Sequence, residues 1–393
     1  MINRSDALTF IEVIKLRNDD LKEKIKNFKV EIPSWGFSDS GTRFKVFHIP
    51  GAARNIFERI EDAEQVEKFT KAVSAVAIHI PWDKVDDWKA LKKITEDKGL
   101  KVGAVNPNLF QNEDYKFGSL TNLDDKKRSK AVDHVLECIE IMKSVDSKIL
   151  SLWLPDGTDY PGQGDFAKRQ ELLIDSLKKI YPALKNDMTL LIEYKFFEPA
   201  FYHTDTADWG IAYALSRDLG DKAKVIIDLG HHAQGTNIEY IVSILSLRGK
   251  LGGFHFNSRK YADDDLTVGS VNLYELFLIF VELNKFFDLS SEKKPALVID
   301  QSAAMKPKIQ AMIQSVEALQ IAYLKSLLVD VESLKEAQSK NDIVMAEEII
   351  KDAFLTDVRS ILKESREEIG LDPDAINAFR KSGYESIVAK KRG

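Results

Sequence analysis

A chain of 393 residues can bury a full hydrophobic core, either as one large domain with additions or as two domains. Its 62 Asp and Glu residues outnumber its 56 Lys and Arg residues, and the net charge of −6 gives no general basic field for nucleic acid or anionic lipid. No apolar run approaches a membrane span and the N-terminus lacks a signal-peptide core, so we expect a cytoplasmic protein with no nucleic-acid or membrane partner.

Strand-like and helical segments alternate along most of the chain. Residues 5–28 carry apolar residues at helical spacing between charged ones, which predicts an amphipathic helix leading into the fold. The predicted strands are 30–37, 72–83, 100–111, 147–157, TLLIEYK from Thr189, KVIIDLGHH from Lys224, LGGFHF from Leu251 and PALVIDQS from Pro295. Helices are predicted near 55–72, 86–99, 124–145, 165–185, 207–219, 236–248 and 272–285.

Residues 304–393 are predicted to be helical, with helices near 304–337, 342–365 and 373–389. Gly370 fits a helix stop, and Asp372-Pro373 fits an N-cap followed by proline at the first helical position. These helices have too little apolar surface for a second core, so we expect an arm that packs across the first domain or onto another subunit. We therefore expect a catalytic domain over 1–303 and a C-terminal helical extension over 304–393 that serves oligomerisation.

Eight strands, nearly all separated by a helix, favour an α/β fold of the closed (β/α)₈ TIM barrel type. A doubly wound open sheet is the second candidate, but it usually has about five to seven strands and often a Gly-rich phosphate loop, which this sequence lacks. The barrel predicts functional groups at the C-terminal ends of the strands. Residues at or near those ends are His79, Trp82, Trp153, Glu193, Asp228, His255 and Asp300.

The last four predicted strands each end in residues that can bind a metal ion. The candidate ligands are Glu193, Asp228, His231, His255, Asp263, Asp265 and Asp300. Burying so many carboxylates in one barrel mouth without cations would be costly, and seven ligands exceed the need of one ion. We therefore expect two hard divalent cations, Mn²⁺ first, with Co²⁺ or Mg²⁺ as alternatives.

The spacing of these ligands suggests how two ions would share them. Glu193 comes first in the series and has the longer side chain, so it is the expected bridge between the ions. The turn between Asp228 and His231 lets one strand end supply both ions. His231 is favoured over His232 as the ligand of the histidine pair, and the sequence does not assign the role of His232. Asp263 and Asp265 lie two residues apart, so in an extended loop they would point the same way and share one ion.

Other residues near the strand ends suggest the kind of substrate. Lys195 follows Glu193 by two positions, and its ammonium can stabilise negative charge that develops on an oxygen. Aromatic residues lie on or after the first four strands, on the opposite half of the mouth: Trp35, Trp82, Phe110 and Trp153. Flat apolar walls opposite a metal-binding wall suit a polyhydroxylated substrate, so we expect a small-molecule sugar.

These motifs resemble the L-rhamnose isomerases of the broad-specificity bacterial type, which are related to xylose isomerase. The resemblance rests on Glu-x-Lys, Asp-Leu-Gly-His, Phe-His-Phe-Asn followed by Asp-x-Asp, and Ile-Asp-x-Ser. It extends through PSWGFSDSGTRF, HIPWD, NPNLFQ, KFGSLTN and PDGTDYPGQ, and so covers most of the chain. It implies a homotetrameric barrel that uses two divalent ions, typically Mn²⁺, to interconvert an aldose and a ketose, here L-rhamnose and L-rhamnulose.

The resemblance also implies roles for individual residues. A structural ion would be held by Glu193, Asp228, His255 and Asp300, and a catalytic ion by Glu193, His231, Asp263 and Asp265. Lys195 would contact a substrate oxygen near C1, and His79 would assist ring opening or bind a distal hydroxyl. Hydrogen would move between C2 and C1 as a hydride or, with a base held near Asp300, through a cis-enediol. The substrate would be lined by Trp35, Trp82, Phe110, Trp153, Ser302 and, from a neighbouring subunit, Phe44.

Three other functions compete with the isomerase. A keto-sugar 3-epimerase of the same superfamily uses one metal and two glutamates, and the eighth strand offers Asp300 where that enzyme would want Glu. A metal-dependent DNA-repair endonuclease would need a basic surface that follows a groove. A sugar-binding or scaffold protein would not need the full ligand set together with Lys195.

Overall fold

Eight short apolar segments form a closed barrel of parallel strands in the computed structural model, which describes residues 10–42, 45–198 and 201–393. The strands, here called first to eighth, are Val30–Pro33, Val73–Ile80, Lys101–Pro107, Ile149–Trp153, Thr189–Glu193, Ala223–Asp228, Leu251–Phe256 and Ala296–Ile299. Each pairs with its neighbours in sequence, and the first pairs with the eighth to close the barrel. The predicted TIM barrel is confirmed.

Helices surround the barrel and bury their apolar faces against it. The lead-in helix is Phe10–Asn27, and the helices after the successive strands are Ile56–Thr70, Trp88–Asp97, Asp125–Val145, Phe166–Ile180, Trp209–Leu219, Ile238–Leu247, Leu273–Asn284 and Lys308–Ser326. Local capping explains where many of them begin, because Asn55 accepts a hydrogen bond from the Glu58 amide and Asp165 from the Lys168 amide. None of the helices in the described ranges is both long enough and apolar enough to cross a lipid bilayer.

Five smaller elements differ from the prediction. Ser34–Phe37 lies within the predicted strand 30–37, Tyr181–Ala183 lies within the predicted helix 165–185, and the other three lie in loops. Short 3₁₀ helices span Ser34–Phe37, Glu113–Phe117 and Tyr181–Ala183. Two small antiparallel hairpins pair Ser40–Thr42 with Lys45–Phe47 and Phe197–Glu198 with Tyr202–His203. Their strands are only two or three residues long, so they show no repeating apolar pattern from which they could be recognised.

The pairing register brings the ends of the later strands to one level. Trp153 pairs with Glu193 between the fourth and fifth strands, and Asp228 pairs with His255 between the sixth and seventh. Asp300 follows the eighth strand directly, and its amide donates to the Phe256 carbonyl at 2.9 Å. These residues therefore sit together at the C-terminal mouth of the barrel.

The C-terminal region is helical as predicted, but each of the three long helices predicted there is interrupted once. The helices of this region are Lys308–Ser326, Val331–Ser339, Ile343–Leu355, Arg359–Glu368, Ala375–Ser382 and Tyr384–Arg392. Asp330 caps a new helix by accepting from the Ser333 amide, Thr356 is extended, and Gly383 has a left-handed φ of 70°. Apolar periodicity continues across these breaks, which is why the sequence pattern did not reveal them.

The helix stop at Gly370 is confirmed, because Gly370 has a φ of 76° just after the helix that ends at Glu368. The expected start at Asp372-Pro373 is wrong. Asp374 is the N-cap, and its side chain accepts from the Asn377 amide at 2.9 Å. Capping by Asp374 lets the helix begin after the proline instead of at it.

The helix Lys308–Ser326 belongs to the core that the barrel strands share. Its buried apolar side chains are Ile309, Met312, Ile313, Val316, Leu319 and Leu324. The chain beyond it folds back onto earlier elements: Lys22 and Lys26 each pair with Glu368, at 2.7 and 2.6 Å. The division into domains at residues 303 and 304 stays a prediction.

The buried carboxylate of Glu31 stabilises a bulge in the third strand. The register between the second and third strands shifts after Val76, which places Gly103 and Ala104 in a bulge. Glu31 reaches across from the first strand and accepts from the Ala104 amide at 2.6 Å, and a Cβ on Gly103 would overlap the Glu31 carboxyl group. Burial raises the pKa of Glu31 to about 7.

This raised pKa predicts that Glu31→Gln reduces the pH dependence of stability. The folded chain holds the Glu31 proton more tightly than the unfolded chain, whose pKa is near 4.5. The contribution is fully present below that pKa and is lost as the pH rises through about 7, at roughly 1.4 kcal/mol per pH unit. In urea unfolding with EDTA, the wild type should lose more unfolding free energy between about pH 5 and about pH 8 than Glu31→Gln. Equal losses would contradict this role.

Candidate metal centre

The last four strands bring three carboxylates and one imidazole to a single point in the barrel mouth. One possible ligand atom from each of Glu193, Asp228, His255 and Asp300 lies within 4.8 Å of the others. Nδ1 of His255 is 3.2 Å from Glu193 Oε1, 3.4 Å from Asp300 Oδ2 and 3.7 Å from Asp228 Oδ2. The structure therefore brings together the four residues that the resemblance assigned to one ion.

Neighbouring groups fix the direction in which two of these carboxylates point. Oδ1 of Asp228 accepts from the Gly230 amide at 2.6 Å and from Asn257 Nδ2 at 2.9 Å. Oδ1 of Asp300 accepts from the indole N–H of Trp35 at 2.9 Å. Each aspartate is thus held by one oxygen and turns the other toward His255, as supporting hydrogen bonds do around metal ligands.

The donors of this cluster fit a divalent cation. Both ring nitrogens of His255 are buried without a hydrogen-bond partner among the described residues, although three carboxylates face Nδ1. Buried polar atoms are normally paired, so an unpaired imidazole among carboxylates suits a site where a cation takes up the donor atoms. Carboxylate oxygens with imidazole nitrogen are ligands that Mn²⁺ accepts.

The acid–base properties of the cluster follow from its burial. Burial raises the pKa of Asp300 to about 6, and it also raises the pKa of Asp228. Burial favours the neutral form of His255, but Glu193, Asp300 and Asp228 outweigh it and raise the imidazole pKa to about 10. The neighbouring carboxylates therefore raise the imidazole pKa and add to the effect of burial on the two aspartates, and a bound cation would relieve this crowding of negative charge.

A second group of donors adjoins the first and shares Glu193 with it. Oε1 of Glu193 is also 3.3 Å from Nδ1 of His231, and Nε2 of His231 is 3.1 Å from Asp263 Oδ1. Burial raises the pKa of Asp265 well above its ordinary value, and the carboxylates of Asp263, Asp300 and Asp228 raise it further, so Asp265 faces the same acidic cluster. Glu193 is the carboxylate common to both groups.

The loop from Asp263 to Asp265 is not the extended segment expected from the sequence. Asp263 and Asp265 both have left-handed backbones, with φ of 51° and 48°. Between them Asp264 turns away and accepts from the amides of Lys260 and Tyr261. A left-handed backbone is uncommon outside glycine and recurs at functional sites, and here it directs Asp263 toward His231.

Lys195 is buried beside the second group, with only 3% of its side chain exposed. Its Nζ donates to Asp263 Oδ2 at 2.5 Å and to Glu198 Oε2 at 2.7 Å, and it lies 5.1 Å from the ring centre of Trp153. Burial lowers the lysine pKa, but the two carboxylates outweigh burial and raise it, so the amine is an ammonium. Glu198 was not singled out from the sequence because it lies beyond the strand end.

The predicted aromatic residues form a continuous wall with His79 in it. The His79 ring stacks on Trp82 with centroids 3.9 Å apart, and Trp35 meets His79 edge-on at 5.7 Å. Phe110 contacts Trp82 at 6.0 Å and Trp153 at 4.8 Å. This wall meets the side of the mouth that carries the ionisable residues at both ends, through Trp35 to Asp300 and through Trp153 to Lys195.

His79 is neutral and partly unpaired. Burial lowers its pKa to about 3, and its Nδ1 has no hydrogen-bond partner within the described ranges. Its backbone is held by Asp83, which accepts from the His79 amide at 2.8 Å and is ion-paired with Arg59. Asp83 closes the HIPWD segment, and its supporting role was not recognised from the sequence.

The remaining predicted residues are placed differently. The Ser302 amide donates to the Asp265 carbonyl at 3.1 Å, which connects the segment after the eighth strand to the loop that carries Asp263 and Asp265. His232 does not join the donors, because its Nε2 lies 2.7 Å from the Tyr194 hydroxyl. Phe44 lies outside the described residues.

Comparison with known proteins gives a family and close relatives. Residues 56–284 match the family described as xylose isomerase-like TIM barrel. A probable sugar isomerase of Rhizobium meliloti (strain 1021) is 44% identical over 380 residues, which cover 95% of this chain and 88% of that protein. Another from Mesorhizobium japonicum is also 44% identical, with the same shares covered.

Solved structures show the same fold at low identity. An L-ribulose 3-epimerase superposes with a TM-score of 0.55 at 14% identity, covering 80% of this chain and 97% of its own. A D-psicose 3-epimerase superposes with a TM-score of 0.53 at 12% identity, covering 81% of this chain and 99% of its own. At these identities the likeness concerns the barrel and carries no statement about the reaction.

Proposed function

This chain belongs to the xylose isomerase-like TIM barrel family, and we propose that it is a metal-dependent aldose–ketose isomerase. The substrate pair we propose is L-rhamnose and L-rhamnulose. The observation that carries the proposal is the position of Glu193, whose Oε1 lies 3.2 Å from His255 and 3.3 Å from His231. Glu193 thus lies between two imidazoles, and each imidazole also has at least one aspartate beside it. This arrangement suits two cations that would bind the same substrate.

Each proposed ion has its own set of ligands. The first would be held by Glu193, Asp228, His255 and Asp300, and the second by Glu193, His231, Asp263 and Asp265. When bound, such ions polarise a sugar carbonyl and stabilise negative charge on the adjacent oxygen. We propose Mn²⁺ for both positions, because the donors combine carboxylate with imidazole.

The protein's own groups would bind and orient the open-chain sugar. Lys195 supplies a buried ammonium that can donate to the oxygen at C1, where negative charge develops. His79 supplies a neutral imidazole whose Nδ1 has no partner among the described residues, so it can accept a hydrogen bond from a sugar hydroxyl and orient it for ring opening. Asp300 is held by Trp35 through Oδ1 and turns Oδ2 toward His255, and in the enediol route a water held near this carboxylate would accept the C2 proton.

The aromatic wall supports a sugar with an apolar end. Trp82 and Phe110 are 38% and 36% exposed, so their rings remain open to a ligand in the mouth. A deoxy sugar such as L-rhamnose presents a methyl group as well as C–H faces, and both pack favourably on aromatic rings. The wall faces the donors, so hydroxyls at one end of the sugar and a methyl group at the other would be bound together.

An assay on a panel of aldoses tests the proposal. We expect the protein, stripped with EDTA and reloaded with Mn²⁺, to convert L-rhamnose to L-rhamnulose, with slower turnover of other aldoses. A C2-deuterated substrate distinguishes the two routes, because a hydride shift keeps the deuterium at C1 and the enediol route loses it to water. Epimerisation of a ketose at C3 without aldose–ketose conversion would identify the 3-epimerase instead. If no aldose or ketose of the panel is converted, the proposal that the protein is a sugar-converting enzyme is refuted.

We also propose that the enzyme is a homotetramer in which Phe44 reaches a neighbouring site. Exposed apolar residues in the C-terminal extension support an assembly, since Ile343, Val344 and Leu355 are 69, 74 and 75% exposed. Analytical ultracentrifugation at micromolar concentration would measure the oligomeric state. A monomer would refute this part of the proposal.

A further inference from the structure

A buried hydrogen bond links the ends of the fifth and sixth strands behind the metal centre. The Tyr194 hydroxyl is hydrogen-bonded to Nε2 of His232 at 2.7 Å, and the two rings meet edge-on with centroids 5.3 Å apart. Tyr194 is 1% exposed and His232 is 4% exposed, so the pair is shielded from solvent. Neither residue is among the proposed ligands, and the reaction described above does not use them.

Tyr194 and His232 are adjacent in sequence to proposed functional residues. Tyr194 lies between Glu193 and Lys195, so its side chain anchors the segment that supplies the shared carboxylate and the ammonium. His232 directly follows His231 in the turn after the sixth strand, which ends at Asp228. A second hydrogen bond connects the same two segments, because His231 Nδ1 donates to the Tyr194 backbone carbonyl at 3.0 Å.

The two strand ends are thus joined by two parallel contacts. One is the His231–Tyr194 carbonyl bond, and the other is the Tyr194–His232 side-chain bond. The side chain of Tyr194 contacts His232, whereas Glu193 faces His255 and His231. Lys195 contacts Asp263. The Tyr194–His232 side-chain bond therefore lies beside the donor group, and the Tyr194 carbonyl contacts His231 directly.

We propose that Tyr194 and His232 are positioning residues, which hold Glu193, Lys195 and His231 at the separations that both metal ions require. This inference rests on the proposed metal-dependent function. Hydrogen bonds behind metal ligands typically change metal affinity or activity by about 10- to 100-fold when they are removed. Loss of this bond should therefore act on metal binding, and not only on stability.

Titration calorimetry of the EDTA-stripped protein with Mn²⁺ tests this inference. We expect Tyr194→Phe and His232→Met each to weaken Mn²⁺ binding about 10- to 100-fold. The double variant should be no weaker than either single one, because the same bond is lost once. His232→Gln keeps an acceptor near the Nε2 position and should recover much of the affinity.

Tyr384→Phe is the matched control. Its hydroxyl donates to Asp62 at 2.9 Å, far along the chain from the mouth, so this variant loses a comparable hydrogen bond without changing Mn²⁺ affinity. Wild-type affinity in Tyr194→Phe, or equal loss in Tyr384→Phe, would overturn the positioning role. Failure of the wild type to bind Mn²⁺ at all would instead refute the proposed function, so the two failures are distinguishable.

Discussion

Glu193→Gln should lower kcat/KM for the aldose by at least about 10³-fold and abolish tight Mn²⁺ binding, while the fold is retained. The substitution keeps the size of the side chain but removes the charge that faces both His255 and His231, at 3.2 and 3.3 Å. Neither ion could then be neutralised by its shared ligand, so both sites are affected together. Steady-state kinetics, metal analysis after dialysis and circular dichroism would measure the three effects.

Glu31→Gln is the matched control for this experiment. Glu31 is also a buried glutamate inside the barrel, where burial raises its pKa and His255 lowers it electrostatically, but its carboxyl accepts from the Ala104 amide and is not among the four clustered donors. We expect Glu31→Gln to bind Mn²⁺ and turn over aldose like the wild type. Glu193→Gln that keeps activity within about tenfold of the wild type, with its metal content unchanged, would refute the shared-ligand assignment.

Lys195→Met should lower kcat about 10²- to 10³-fold while Mn²⁺ still binds, which separates its effect from that of Glu193→Gln. Methionine fills a similar volume against Trp153 but cannot donate to an oxygen at C1. Removing the ammonium also frees Asp263 and Glu198, which it contacts at 2.5 and 2.7 Å, so the negative charge available to a cation increases. Kinetics and calorimetry on the same preparation would measure both quantities.

Lys250→Met controls for the loss of a lysine from the barrel. Its Nζ donates to the carbonyls of Ser216, Gly220 and Ala223 at the opposite end of the barrel from the mouth. We expect this variant to lose stability but to keep kcat. A Lys195→Met enzyme with wild-type kcat would show that Lys195 serves only to pair with carboxylates.

The barrel could be predicted because its signals are local and repeated. Each strand is a short apolar run, each is followed by a helix, and the ionisable residues Glu193 and Asp228 are the last residues of their strands. In a parallel barrel the C-terminal ends of all strands lie at the same mouth, so Glu193 and Asp228 were expected to lie close together. Alternation therefore predicted the fold, and the ionisable residues at the strand ends predicted the convergence of the donors.

Other features depend on contacts between segments that are distant in sequence. The left-handed backbones of Asp263 and Asp265 arise in a loop whose middle residue, Asp264, binds nearby amides, and no apolar pattern predicts that conformation. The pairing of Lys195 with Glu198 and of Tyr194 with His232 likewise requires the folded chain. The interrupted C-terminal helices were missed because caps such as Asp330 outweigh a periodicity that continues through them.

Anomalous diffraction from crystals grown with Mn²⁺ tests the arrangement of the centre most directly. We predict two strong peaks in each barrel mouth, one beside His255 and one beside His231, with the carboxylate of Glu193 in contact with both. A single peak, or peaks bound by other residues, would contradict the account even if the protein proved to act on sugars.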